Sequence, residues 1–183
     1  PSTTPPMDGA AAMQWVHAAT QRANDSGVPA KALPMACMTE RREGKQLTEM
    51  YDLQQAGAVA FTDDAPIDRP GMLQRALTYA QTHGLTPLLA HCERYPYLHK
   101  NEALLDLWRE RGGWMSVNAA SLVGAYGNEV KDMAHRCMTQ GWVSFVCSDA
   151  HGMRHVRALE SLSHSRHVAQ WMEEGHCLHA GLG

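Results

Sequence analysis

The chain has 183 residues, 44% of them hydrophobic and 19% charged, which suits one compact domain with a real core or part of a larger one. Sixteen Lys and Arg against nineteen Asp and Glu give a formal charge of −3, and no basic run stands out, so a nucleic-acid groove is not expected. The apolar runs at Ala58–Phe61 and Thr86–Ala90 fall far below the roughly 18 residues a membrane span needs. Residues 1–6 show neither the basic start nor the apolar run of a signal peptide. The five cysteines, Cys37, Cys92, Cys137, Cys147 and Cys177, include no CxxC pair and read as reduced thiols of a cytoplasmic protein. Eleven histidines, the commonest metal ligand, are the first unusual count.

In chain order, helical spacing over Met7–Asn24 follows Asp8 as a plausible N-cap. A short apolar run, Ala32–Met38, precedes a helix over Gly44–Gln55 and a buried-type strand over Ala58–Phe61. Asp68–His83 reads as a helix with Leu73, Leu77 and Ala80 on one face and Gly84 as its stop. Thr86–Ala90 is strand-like. Asn101–Arg111 is helical, with Asn101 at its cap. Strand Trp114–Val117, helix Asn128–Gln140 and strand Trp142–Cys147 follow, and a helical stretch over Val156–Glu174 closes the series. Strand–helix units of about 25–30 residues imply an α/β fold with a parallel sheet. Five strands, or six if Pro1–Thr4 contributes one, are too few for the eight of a full (β/α)8 barrel. The expectation is a single, incomplete barrel-like domain. Two open sheet edges would invite self-association, with the eleven Met and five Trp helping to fill the interface.

Ligands of parallel α/β folds gather where strands end. Here those positions hold Asp63-Asp64, His91-Cys92-Glu93-Arg94, Asn118 and Ser148-Asp149-Ala150-His151. Carboxylates and imidazoles at successive strand ends suit Zn, Mn or Fe ions that activate water for hydrolysis. Asp149 and His151 are alternate residues, facing one way if the strand continues through them. Against this, Asp63-Asp64 could simply start a turn, Arg94 could cap a helix or pair with an acid, and the remaining histidines, His155 among them, read as residues of solvated helix faces. GxSxG, GxxxxGK[ST] and GxGxxG signatures are absent, and Cys147 to Arg154 is one residue too long for a Cys-x5-Arg phosphatase loop.

Two family resemblances meet at His91. PSTTPP (1–6), LTEMYDLQQAGAVAFTDD (47–64) and GMLQRALTYAQTHGL (71–85) resemble dihydroorotases of the amidohydrolase superfamily over about residues 1–90. That resemblance implies a metal-bridging Asp64 and, 27 residues on, a ligand His91. LTPLLAHCERYPYLHKNEALL (85–105), VNAASLVGAYG (117–127) and FVCSDAHG (145–152) resemble the bacterial PHP-type protein-tyrosine phosphatases encoded with exopolysaccharide genes, over about residues 85–157. This second resemblance implies His91, Asp149 and His151 as metal ligands, Arg94 as a phosphate contact, and Arg154 or Arg157 as a second one.

The departures are specific. Both families take two His from an HxH motif on the first strand, which this chain lacks; Ser2 stands where dihydroorotases carry a substrate-binding Asn; and by one alignment Cys37 stands at the phosphatase Glu ligand, with Glu40 a poor substitute. The joint expectation is metal-dependent phosphoester hydrolysis of a small molecule or phosphotyrosine peptide, with catalytic Arg94, Asp149 and Arg157 and metal ligands Asp64, His91, Asp149 and His151. The alternatives are cyclic-amide hydrolysis of the dihydroorotase type and an inactive barrel fragment or chimera.

Overall fold

The computed structural model describes residues 3–27, 31–63, 69–162 and 165–174. The chain divides into two compact units, Pro1–Gln74 and Arg75–Gly183. In the first, helix α1 (Ala10–Asp25), strand β1 (Met35–Ala36), helix α2 (Met50–Gln55) and strand β2 (Ala60–Phe61) follow in order, and β1 and β2 pair in parallel. Met13 of α1, Leu53 and Ala56 at α2, and Ala36 and Ala58 beside the strands make its buried core, with Ala10, Val16 and Phe61 packed against it. The N-cap of α1 is Gly9, one residue beyond the expected Asp8. Asp8 instead accepts a hydrogen bond from the Arg41 amide at 2.9 Å. The helix expected from Gly44 forms only from Met50, because the preceding residues make hydrogen bonds back to the segment after β1: the Thr48 amide donates to Met38 O at 3.0 Å, and its hydroxyl to Cys37 O at 2.9 Å.

Helix α3 (Pro70–Thr82) carries the expected apolar stripe of Leu73, Leu77 and Ala80, joined by Met72 and Ala76, and spans the division between the units. The second unit then runs through strand β3 (Leu88–Leu89), helix α4 (Ala103–Glu110), strand β4 (Trp114–Asn118), helix α5 (Ala119–Leu122), helix α6 (Asn128–Thr139), strand β5 (Phe145–Cys147), and helices α7 (Met153–Leu162) and α8 (Arg166–Glu173). Strands β3, β4 and β5 form one parallel sheet in that order, with Leu89 opposite Met115 and Val117 opposite Val146. As the middle strand, β4 is buried on both faces from Met115 to Asn118, as strands covered on both sides are. Helix α6 turns Met133, Ala134, Cys137 and Met138 inward, the i, i+1, i+4, i+5 spacing of a helix with one covered face.

The α/β class with parallel sheets matches the expectation. Among the described residues the strands form sheets of two and three members and no closed barrel, and neither Thr3 nor Thr4, which lies in a bend, belongs to a strand. Two local expectations also change. The N-cap of α4 is Glu102, not Asn101. The closing helical stretch is two helices, and it begins at Met153, three residues before the expected start.

Close backbone packing sets up β4. The Trp108 indole N–H donates to Trp114 O at 2.9 Å, and a methyl group added to Gly113 would run into that indole and into the Trp108 carbonyl. Backbone cannot yield as a flexible side chain can. Gly113→Ala is therefore expected to destabilise the protein by about 1–3 kcal/mol in urea denaturation; an unchanged midpoint would contradict this packing.

Candidate functional site

Three strand ends of the second unit bring the chemistry together. Strand β3 leads into His91, which sits in the left-handed region at φ 41° and opens a 3-10 turn, Cys92–Arg94. Strand β5 leads through Ser148 into Asp149, also left-handed at φ 44°. His and Asp tolerate this region better than most residues, so each costs little, but the turn re-aims the chain. It also corrects the expectation that Asp149 and His151 face one way as alternate residues of a continuing strand: the strand ends at Cys147, and His151 instead folds back on Asp149. His151 Nδ1 lies 2.8 Å from the Asp149 carbonyl and 3.6 Å from its Oδ1.

Between these two ends stands Asn118, the last residue of β4. Its side-chain amide donates to Asp149 Oδ2 at 2.9 Å, and its main-chain N–H donates to Glu93 Oε1 at 3.0 Å. The Ser121 hydroxyl donates to the same Glu93 oxygen at 2.6 Å. Glu93 is fully buried, and burial pushes its carboxyl above the usual range, opposed by those two hydrogen bonds and by the charge of Arg94. The turn is pinned a second time where His99 Nε2 meets Glu93 O at 2.6 Å, and a third where the His91 amide donates to Ser116 Oγ at 3.3 Å.

Arg94 reaches from this turn towards Asp149, with Nη1 3.9 Å from Oδ2, and its Cζ lies 4.6 Å above the Tyr126 ring. Both charged side chains are about a third exposed, so the pair contributes on the order of 1 kcal/mol or less to stability; its use is orientation. Tyr126 Oη in turn meets His155 Nε2 at 3.2 Å, and His155 Nδ1 accepts the His151 amide at 3.0 Å. The contacts thus close into a ring through Arg94, Tyr126, His155, His151 and Asp149, with Asn118 joining Asp149 to the buried Glu93.

Four sequence-selected residues, His91, Arg94, Asp149 and His151, occupy these strand ends. Arg157 is exposed on α7, with its carbonyl bonded to Ser161 Oγ at 3.0 Å, and no ion pair among the described residues ties it to the ring. Asp64, Ser2 and the side chain of Arg154 lie outside the described residues. Asp63 is bound to the chain after β1: buried, it accepts hydrogen bonds from the Met38 and Thr39 amides at 2.9 and 2.8 Å and from the Thr39 hydroxyl. Cys37 is buried in the first unit and its thiol is pushed up by burial, while Glu40 is exposed and bonded to Gln46. Cys92 is no nucleophile either: its Sγ is 3.9 Å from that of Cys137, and this partner together with full burial pushes its thiol well above the ordinary value.

Sequence reasoning gave no role to Glu93, Ser121 or Tyr126, although they lie within the segments it singled out, and it set His155 aside. His155, expected on a solvated face, is 5% exposed. The available signal was its spacing: His155, Ala158 and Leu162 form the buried stripe of α7, and His155 stands four residues after His151.

Glu93 offers a direct check of this framework. Glu93→Leu would strand the Asn118 amide and the Ser121 hydroxyl without their acceptor, at a cost of about 2–5 kcal/mol in chemical denaturation. Glu93→Gln, which keeps a carbonyl acceptor, is expected to cost clearly less; equal losses would contradict the bridging role.

The chain was compared with known proteins. It is 39% identical over 94 residues to the dihydroorotase of Caldanaerobacter subterraneus subsp. tengcongensis, and 34% identical over 94 residues to that of Aquifex aeolicus; each match covers 51% of this chain and 21% of the relative. The chain thus spans about a fifth of the length of these curated relatives. Among solved structures it is similar to a chain from the work on YwqE of Bacillus subtilis and CpsB of Streptococcus pneumoniae, described as unique metal-dependent tyrosine phosphatases. The TM-score is 0.52 at 21% identity, covering 90% of this chain and 71% of that one, a likeness of fold. Both expected resemblances are therefore found. The model of the family described as "Capsular polysaccharide synthesis, CpsB/CapC" matches residues 42–177, beginning well before the expected Leu85 and running past Arg157. With most of its length matched, the chain belongs to the CpsB/CapC capsular polysaccharide synthesis family.

Proposed function

We propose that the protein is a metal-dependent hydrolase of phosphate monoesters of the phosphotyrosine type. The observation that carries this reading is the juxtaposition of Arg94 and His151 at Asp149, whose carboxylate Asn118 holds from the adjacent strand end. The family and the fold of the metal-dependent tyrosine phosphatase neighbour support it.

The donors fit a divalent cation in kind: two imidazoles and a carboxylate, as Zn, Mn or Fe ions take. They also fit in protonation. A carbonyl oxygen only accepts, so His151 Nδ1 must carry its proton towards Asp149 O, which leaves Nε2 of the neutral ring with its lone pair on an exposed side chain. Among the described residues no three such side chains stand close enough to enclose an ion, and Asp64, the proposed fourth ligand, lies outside them. We assign His91, Asp149 and His151 as the ligands within the second unit. A divalent ion bound there would supply Lewis acidity and lower the pKa of water.

The protein's own groups do the rest. Asn118 holds the Asp149 carboxylate in one orientation, and the Asp149 carbonyl fixes the tautomer of His151. Arg94, steadied on Tyr126, offers a planar fork of N–H donors to the oxygens of a phosphoryl group, where negative charge gathers during transfer. Arg157, exposed on α7, or Arg154 is the candidate for a second phosphate contact.

Cyclic-amide hydrolysis is the second reading, favoured by the 39% identity to a dihydroorotase over half of the chain. Among the described residues, no helix is long and apolar enough to cross a membrane.

Protein purified without a tag or chelator is expected to hold Zn, Mn or Fe by plasma mass spectrometry and to hydrolyse p-nitrophenyl phosphate in preference to dihydroorotate. His91→Ala, Asp149→Ala and His151→Ala should each lose metal and activity together. Arg94→Ala should keep its metal while KM for the phosphate ester rises about tenfold or more. Metal content unchanged in all three ligand variants would overturn the assignment, and turnover of dihydroorotate instead of the phosphate ester would establish the second reading.

A further inference from the structure

Tyr126 lies in the 117–127 segment but was given no role there, and His155 lies outside the quoted motifs; together they complete the contacts around Arg94 and His151. Tyr126 lies on the turn between α5 and α6, half-buried, with Arg94 over its face at 4.6 Å. His155 sits on the buried face of α7.

The proton positions follow from the partners. A main-chain N–H can only donate, so the His151 amide, 3.0 Å from His155 Nδ1, requires a lone pair on that nitrogen. The neutral ring then carries its proton on Nε2, which faces Tyr126 Oη at 3.2 Å. His155 is therefore the donor in this bond and the tyrosine oxygen the acceptor. The phenolic proton is directed away from His155 and is held ready for another acceptor.

Resting on the phosphoester reading above, we propose that Tyr126 is a second anion-binding group beside Arg94. Its ring holds the guanidinium in place, and its hydroxyl, oriented by His155, donates to an oxygen of the bound phosphoryl group. His155 is a positioning residue that acts through Tyr126. This arrangement favours tetrahedral oxyanions over planar amides, because two donors of different chain segments, a guanidinium fork and a hydroxyl, address separate oxygens of one group.

The test is binding of inorganic phosphate to the metal-loaded 183-residue chain, by titration calorimetry and by competitive inhibition of p-nitrophenyl phosphate hydrolysis. Tyr126→Phe keeps the ring and removes the donor. It is expected to weaken phosphate binding about tenfold and to raise KM by a similar factor, with a smaller change in kcat and an unchanged melting temperature. Tyr126→Leu, which also removes the face under Arg94, should weaken phosphate binding further, towards the level of Arg94→Ala. His155→Phe, which removes the orienting N–H, should weaken binding in the same direction as Tyr126→Phe. If Tyr126→Phe binds phosphate as the wild type does while Arg94→Ala does not, the proposal is wrong and the phosphoester reading stands. If Arg94→Ala also binds like the wild type, or the wild type binds no phosphate, both fall.

Discussion

One buried carboxyl organises the strand ends. Glu93 has lost its water entirely, a costly state for an acid unless donors replace the water it gave up. The Asn118 amide and the Ser121 hydroxyl do so, and both lie on the segment that leaves β4. The turn after β3 is therefore tied to the end of β4 by bonds that are expensive to break, because each partner is itself buried. Arg94 follows Glu93 directly, and His91 stands two residues before it. What fixes Glu93 fixes the bases of both.

From that anchor the order spreads outward to groups that water can reach. Asn118 passes it to Asp149 through its side-chain amide, and the left-handed turn at Asp149 brings His151 back over the carbonyl that sets its tautomer. The inner members of the network are buried, while Arg94, Asp149 and His151 keep partial or full exposure. Groups that bind an anion or a cation need such access, and preorganisation beneath them limits the reorganisation that binding demands. The cation–π contact of Arg94 with Tyr126 and its ion pair with Asp149 are individually weak, but together they restrict a long side chain that would otherwise sample many rotamers.

Much of this was legible in the sequence. The positions of β2, β3, β4 and β5 followed from short β-rich runs, α3 and α6 from helical stripes, and the candidate residues His91, Arg94, Asp149 and His151 from their place after strands. The boundaries moved where local hydrogen bonding outcompeted pattern: α2 starts late because Thr48 bonds back to the chain after β1, and Gly9 caps α1 because Asp8 is used by the Arg41 amide. The roles of Glu93, Tyr126 and His155 were not legible. A buried Glu looks like any charged residue until its two donors are in place, and a His on an apolar helix face is hard to tell by composition from one in water. The left-handed turn at Asp149 also left no mark in the spacing, since Asp-x-His reads equally well as a strand continued or a strand broken.

The central claim is that Arg94, Asp149, His91 and His151 converge on one bound metal–oxyanion pair. Crystals grown with Mn2+ and vanadate, measured at the manganese absorption edge, test it directly. The account predicts an anomalous peak within bonding distance of the His91 ring, an Asp149 carboxylate oxygen and His151 Nε2, with vanadate beside it on the Arg94 guanidinium. A manganese peak elsewhere, or vanadate held by residues that exclude Arg94, would contradict it.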